Sequence, residues 1–296
     1  MAVQEIKCAA AMNHISSRFL PYSWDLNPYR GCAHGCRYCF ALYSHHYMGD
    51  GSSDFYNDLF VKVNIAERLE RELSRRSWAG EPVNIGGVTD SYQPAEAQYR
   101  LMPDILRLMI KYRTPCIIST KSDLILRDFD LIVRLSEAAA VNIAATITCM
   151  DERIREKLEP GGVPSARRFE MLRAFSGTRA CTGVHLMPII PFLTDSRSNL
   201  SAICEGANAV KANYLLPSLL NLRGPTRTVF LDFLHRDFPQ CEAPLRRLMD
   251  SRRKRSAYRT ALFGWLRSEA AAIGISLDSI TPFRRLLTGG EQLSLF

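Results

Sequence analysis

The chain has 296 residues, 47% of them hydrophobic and 23% charged, the make-up of a globular protein able to bury one large core. No apolar run approaches the ~18 residues that a membrane span needs, and the opening Met-Ala-Val-Gln-Glu-Ile-Lys-Cys lacks the apolar heart of a signal peptide. A cytoplasmic protein with no membrane partner is therefore expected. The net charge of +8 favours an acidic partner, and most of the excess falls after residue 222, where 13 Lys/Arg face 7 Asp/Glu. Nine cysteines, scattered except for one group, read as one ligand set plus reduced thiols, not as a disulfide framework.

Short apolar segments alternate with longer amphipathic ones, the pattern of β/α units around a parallel sheet. A first strand is predicted over 24–27 and leads into a cysteine-bearing loop. In the polar, aromatic segment 41–62, His45 and His46 lack a partner at metal-ligand spacing and read as surface or substrate-side residues. A helix follows over 64–76, with Ile65, Leu69 and Leu73 at helical spacing. Next come a strand over 83–86, the run Gly87-Val-Thr-Asp-Ser-Tyr-Gln-Pro94, and a helix to Tyr112. The third strand is 116–120, ending at Lys121, and a helix spans 129–139. The fourth strand is 141–148, and 151–162 reads as a connector. Ser165 is placed as the cap of a helix to 175. The fifth and sixth strands are predicted over 183–190 and 210–216, with helices over 230–238 and 243–274 beyond them.

Six units predict an α/β fold, a partial (β/α)6 barrel of the TIM type with ligands at the carboxyl ends of its strands. The expected divisions are a lead-in over 1–22, the barrel over 23–222, a basic helical extension packed on it over 223–287, and a flexible tail over 288–296.

The stretch that carries chemistry is Arg30-Gly-Cys-Ala-His-Gly-Cys-Arg-Tyr-Cys-Phe40, which sets Cys32, Cys36 and Cys39 at C-x3-C-x2-C spacing. Thiolates are the usual ligands of iron–sulfur clusters, and a closed structural site takes four ligands. Three close thiols without a fourth therefore leave one metal corner open, and Gly31 and Gly35 suit a loop wound tightly around a cluster. A zinc site completed by His34 or a distant cysteine stays open as an alternative, as do unliganded thiols.

This spacing, with the aromatic Tyr38 before the last cysteine, resembles the radical S-adenosylmethionine (SAM) superfamily. The lead-in Phe19-Leu-Pro-Tyr-Ser-Trp-Asp-Leu-Asn-Pro-Tyr-Arg-Gly-Cys32 resembles the group related to spore photoproduct lyase, described as DNA-repair-photolyase-like, with the likeness running over residues 16 to 270. The resemblance implies a 4Fe-4S cluster on Cys32, Cys36 and Cys39, SAM as cofactor, and a low-potential electron donor. It implies that Gly86 and Gly87, with Thr89 and Asp90, meet the cofactor's ammonium, and that Lys121 meets its carboxylate. Thr146 or Thr148 would reach the ribose, Tyr38 would lie beside the cofactor, and Pro188–Pro191 would pack near the adenine. Capping of the next helix by Asp90 and Ser91, and ordinary strand roles for the two threonines, stay open. Gly87 stands where the lyase group carries its cysteine hydrogen donor, and Phe40 replaces one of its two tyrosines. The same hydrogen relay is therefore not expected. Tyr38 is retained as a catalytic candidate, and Cys149 is the nearest substitute donor or else a buried inert thiol.

The terminal Gln292-Leu-Ser-Leu-Phe296, after Gly289-Gly290, resembles the bacterial sliding-clamp-binding pentapeptide; an apolar end folded back on the barrel is the alternative. The basic stretch 246–255 suits phosphate contacts or a solvated helix face. Together these readings predict a radical SAM enzyme acting on nucleic acid, DNA favoured, in repair or modification. The rivals are a radical SAM enzyme that modifies RNA or a protein side chain, and a cluster-bearing sensor without turnover.

Overall fold

Two short strands, β1 (Ala2–Ile6) and β2 (Met12–His14), precede β3 (Trp24–Leu26) and β4 (Tyr29–Arg30), between which and β5 (Asp58–Lys62) the cysteine loop is suspended. The chain then alternates: α1 (Ile65–Leu73), β6 (Val83–Ile85), α2 (Glu96–Tyr99) and α3 (Leu101–Lys111), β7 (Cys116–Thr120), α4 (Phe129–Ala138), β8 (Val141–Thr146), α5 (Glu152–Leu158) and α6 (Ser165–Phe175), β9 (Cys181–Ile189), α7 (Arg197–Ala209), β10 (Tyr214–Leu219). Four helices close the chain: α8 (Pro225–Asp237), α9 (Pro239–Met249), α10 (Arg252–Ile273) and α11 (Ile280–Leu287). This computed structural model describes residues 2–17, 20–47, 54–278 and 280–287. The expected clamp-binding segment Gln292–Phe296 and the side chain of His46 lie outside what is described.

The main sheet has the order β10-β9-β8-β7-β6-β3-β2, with β3 and β6 to β10 all parallel and β2 antiparallel at the edge. Six parallel strands in chain order, each followed by a helical crossover, make the partial (β/α)6 barrel that the sequence predicts. One sheet face packs on the helices: Val83, Ile85, Ile118, Ile143 and Val184 meet Leu106, Met109, Leu135, Leu172 and Ile203 in one buried cluster. Ile65, Leu69 and Leu73 of α1 join that core, each contributing about 1.5–3 kcal/mol by leaving water. The residues between them in each strand, such as Asn84, Ser119, Asn142 and His185, face the barrel interior instead.

Several expectations are corrected. The connector is helical over α5, because the Asp151 carboxylate accepts from the amides of Arg153 (2.9 Å) and Ile154 (3.4 Å) and so caps a helix start. Ser165 does not cap α6; its hydroxyl donates to the Cys149 carbonyl at 2.7 Å. The sixth strand begins at Tyr214, since α7 runs on to Ala209. The long helix expected over 243–274 is two, broken before Ser251, whose hydroxyl caps α10 through the Lys254 amide. A small sheet, β1-β5-β4, escaped the sequence reading altogether.

Helices α8 and α9 lie against the cysteine loop. Phe230, Phe233, Leu234, Cys241, Leu245 and Met249 of α8 and α9 form one buried cluster with Cys36 and Tyr38, and the Thr226 hydroxyl donates to the Cys39 carbonyl at 2.8 Å.

Candidate active site

The cysteine loop crosses the carboxyl ends of the barrel strands. Cys32 and Cys36 are buried, Cys39 is half-buried, and all three are free thiols. They lie close enough that ionising one disfavours ionising the next; burial, the larger effect, pushes Cys32 up to about 12 and raises Cys36 and Cys39 as well. Gly31 has φ +87°, and a Cβ there would sit 2.3 Å from the Asp58 carbonyl, so only glycine lets the loop lie against β5. Among the described residues no three His, Cys, Asp or Glu side chains are grouped as around one bound ion. A cluster takes its thiolates on separate metal corners and needs its ligands farther apart than a single ion does. Three free thiols, two of them buried, on a tightly held loop fit such a group. The fourth-ligand candidates are engaged elsewhere: the Cys241 thiol donates to the Phe192 carbonyl at 3.2 Å, and His34 is tied by both ring nitrogens.

One clamp on this loop is the segment after β6. Thr89 donates to the Gly31 carbonyl at 2.6 Å, and Gln93 both accepts from the Ala33 amide (2.9 Å) and donates to Gly31 (3.3 Å). The Asp90 carboxylate takes the Thr120 hydroxyl (2.8 Å), the amides of Tyr92 (2.9 Å) and Lys121 (2.8 Å), and stands 3.0 Å from His34 Nε2. Burial opposes its charge, but His34 and Lys121 outweigh that and hold the carboxyl well below the usual range. His34 Nδ1 faces the Gly161 carbonyl at 2.7 Å, so the ring lies between that carbonyl and the Asp90 carboxylate.

The second clamp was not foreseen. The segment 158–162 lies along the loop: Arg37 donates its amide to Leu158 (2.9 Å), Gly161 donates to His34 (3.0 Å), and a Cβ on Gly161 would meet the Ala33 carbonyl at 2.3 Å. Behind it, fully buried Glu159 accepts from the Tyr38 hydroxyl and from Thr148 (3.0 Å), and contacts Arg168 Nη1 at 2.5 Å. Desolvation would raise the Glu159 carboxyl, but Arg168 and Lys121 hold it below its ordinary value. Arg168 completes its fork on the carbonyls of Val163 (2.8 Å) and Thr146 (2.7 Å).

The expected site residues divide into two groups. Lys121 stands near the loop, its ammonium 5.9 Å from the Tyr38 ring centre, and Cys36, Glu159 and Asp90 overcome burial to keep it charged. Gly86 (φ +90°) and Gly87 follow β6, and a Cβ on Gly87 would strike the Asp25 carboxylate at 2.3 Å. Thr146 ends β8. By contrast Thr89, Asp90 and Thr148 have their polar atoms engaged within the protein. The Cys149 thiol is buried against the Asp151 carbonyl and pushed up to about 11 by that burial. His45, expected at the surface or on the substrate side, is buried between Phe55 and Phe60 with Nε2 on the Asp58 carbonyl at 3.1 Å.

Beyond the carboxyl end of β9, Phe192 is 45% exposed with φ +69°, and its ring lies 6.4 Å from that of Tyr258. Tyr258 sits on α10 behind the exposed run Arg252-Arg-Lys-Arg255. Aromatic rings beside such a run offer stacking surface and phosphate contacts together.

A model of the radical SAM superfamily matches residues 26–199. An uncharacterized protein of Mycobacterium tuberculosis strain H37Rv is 35% identical over 246 residues, 82% of this chain and 72% of that protein. An uncharacterized protein of Methanocaldococcus jannaschii is 25% identical over 215 residues, 73% of this chain and 76% of that protein. Among solved structures, spore photoproduct lyase complexed with dinucleoside spore photoproduct shares the fold with TM-score 0.59 and 14% identity, over 79% of this chain and 66% of the lyase chain.

Proposed function

The chain belongs to the radical SAM superfamily, whose members use a 4Fe-4S cluster and SAM, and on that premise we propose an enzyme that acts on nucleic acid, DNA in the favoured reading, in repair or modification. When bound, the cluster and SAM supply an electron, taken from a low-potential donor, and a 5′-deoxyadenosyl radical that removes a hydrogen atom from the substrate. Cys32, Cys36 and Cys39 hold the cluster. Lys121 offers a cation to the cofactor's carboxylate, Gly86 and Gly87 leave backbone open to its ammonium, Thr146 serves the ribose and Tyr38 the cofactor's flank. Thr89, Asp90, Glu159 and Arg168 act one layer back, fixing the loop so that its thiols meet the metal in one geometry. Cys149 takes no hydrogen-donor role in this reading.

The observation that carries the proposal is the C-x3-C-x2-C loop seated over the strand ends and gripped from both sides. For nucleic acid, the support is the exposed Phe192 ring, set against half-buried Tyr258 beside the basic start of α10. A tail that reached a sliding clamp through Gln292–Phe296 would suit the same role and rests on sequence alone. The test is anaerobic incubation of the reduced, reconstituted protein with SAM and with DNA or RNA deuterated at candidate carbons. Label in 5′-deoxyadenosine is expected with DNA. Label from RNA or from a protein substrate selects the rival enzymes, and no 5′-deoxyadenosine under any condition selects the sensor.

A further inference from the structure

Barrel interiors of this kind are normally filled by branched apolar side chains. Here four consecutive strands, β7 to β10, send Ser119, Asn142, His185 and Tyr214 inward. The arrangement is built in layers. Tyr214 pairs in register with Gly183, two residues before His185, and a Cβ on Gly183 would lie 2.1 Å from the Tyr214 ring. The phenol therefore crosses β9 beneath the histidine, and glycine at 183 is what admits it. Asn142 and Tyr214 are closed off from solvent, at 4% and 1% exposure, whereas His185 and Ser119 above them are half-buried and reachable.

The hydrogen bonds set the chemistry of the upper pair. Tyr214 Oη accepts from Asn142 Nδ2 at 2.7 Å, which leaves its one proton for His185 Nε2 at 3.1 Å. The ring proton of a neutral His185 is thereby held on Nδ1. Its nearest partner there is Ser119 Oγ at 3.4 Å, a long contact that a better acceptor would displace. Burial, then the Lys121 charge, pushes His185 down to about 4, so the ring is neutral near pH 7 and suits a neutral oxygen rather than a phosphate. Lys121 lies two residues beyond Ser119, just past the end of β7 and toward the cysteine loop.

We infer that His185 and Ser119, braced by Tyr214 and Asn142, form a reading floor that takes the carbonyl edge of one nucleobase drawn out of its stack into the barrel. The inference rests on the nucleic-acid reading above and deepens it. A base must leave the stack for a radical held inside a barrel to reach it. Thymine, uracil, cytosine and guanine carry a ring carbonyl to accept from Nδ1–H; adenine carries none, and offers only in-ring nitrogens whose lone pairs lie closer to the ring than a carbonyl oxygen reaches.

The test titrates full-length, cluster-reconstituted protein against fluorescein-labelled oligodeoxythymidylate, oligodeoxycytidylate and oligodeoxyadenylate by anisotropy at one salt concentration. Both pyrimidine strands are expected to bind about tenfold or more tighter than the adenine strand. His185→Phe and Tyr214→Phe, at unchanged iron content, are expected to bring all three within about twofold. Equal binding of the three strands by the unmodified protein, or full discrimination kept in both variants, overturns the inference while leaving the nucleic-acid reading intact. Binding of none overturns both. A readout independent of folding losses is the 15N spectrum of His185 in the unmodified protein: a neutral, Nδ1-protonated ring is expected, and an Nε2-protonated ring overturns the proposed donor.

Discussion

Oε2 of Glu159 lies 2.5 Å from Nη1 of Arg168, and neither side chain reaches solvent. The pair stands directly behind Tyr38, so the aromatic residue of the cysteine motif is anchored to a buried charge pair instead of to an apolar wall. Removing one member leaves the other charged and unpaired in the interior, which typically costs ~3–5 kcal/mol. Glu159→Ala and Arg168→Ala are each expected to lower unfolding stability by about that amount in urea melts. The double variant Glu159→Ala/Arg168→Ala should lose less than the sum of the two single losses. Additive losses would contradict a coupled pair.

Gly161 tests the second clamp. A methyl group there would stand 2.3 Å from the Ala33 carbonyl and 2.8 Å from His34 Cα, both backbone atoms of the cysteine loop. Gly161→Ala should displace the loop and lower iron incorporation on reconstitution, measured per chain. Full iron content in that variant would mean that the loop gives way without losing its ligand geometry.

His185 gives a pH signature. Its folded value of about 4 lies below the ordinary histidine value of about 6.5, so the folded protein disfavours the protonated ring. The stability that this contributes is present above about pH 6.5 and is lost as pH falls from there toward 4, because the unfolded chain binds the proton first. The full loss amounts to about 3 kcal/mol. Urea midpoints across that window should fall more steeply for the unmodified protein than for His185→Phe. Parallel curves would contradict a ring held neutral in the folded protein.

The surface around α10 predicts a salt dependence. Each phosphate contact contributes about 0.7–0.9 to the slope of log affinity against log salt. Arg252→Ala/Arg255→Ala should reduce that slope for single-stranded DNA, while Phe192→Ala should weaken binding by ~1–3 kcal/mol through lost stacking. An unchanged slope would place the strand on another face.

Much of this architecture is legible in the sequence because local patterns carry it. The strand at Cys116–Thr120 and the apolar spacing of Ile65, Leu69 and Leu73 need no distant partner to be read. The cysteine spacing likewise declares itself. Glu159 and Arg168 do not, because each sits in a polar run that reads as a connector or a solvated helix face. Only the docking of α6 turns them inward toward one another. His45 is hidden for the same reason: β5 pairs with β1, more than fifty residues upstream, and closes a small sheet over it. Asp90 was legible as a polar residue at the right strand end. Its engagement by Thr120, Lys121 and His34, which ties it to the cysteine loop, depends on three separate segments meeting.

That Cys32, Cys36 and Cys39 together hold the cluster is the prediction on which the others depend. It is tested most directly by iron and acid-labile sulfide analysis of anaerobically reconstituted protein alongside its Cys36→Ala variant, with 5′-deoxyadenosine measured after reduction in the presence of SAM. The unmodified protein should carry a 4Fe-4S cluster and form 5′-deoxyadenosine, and the variant should do neither. A variant that keeps its brown chromophore and its SAM cleavage would contradict the account.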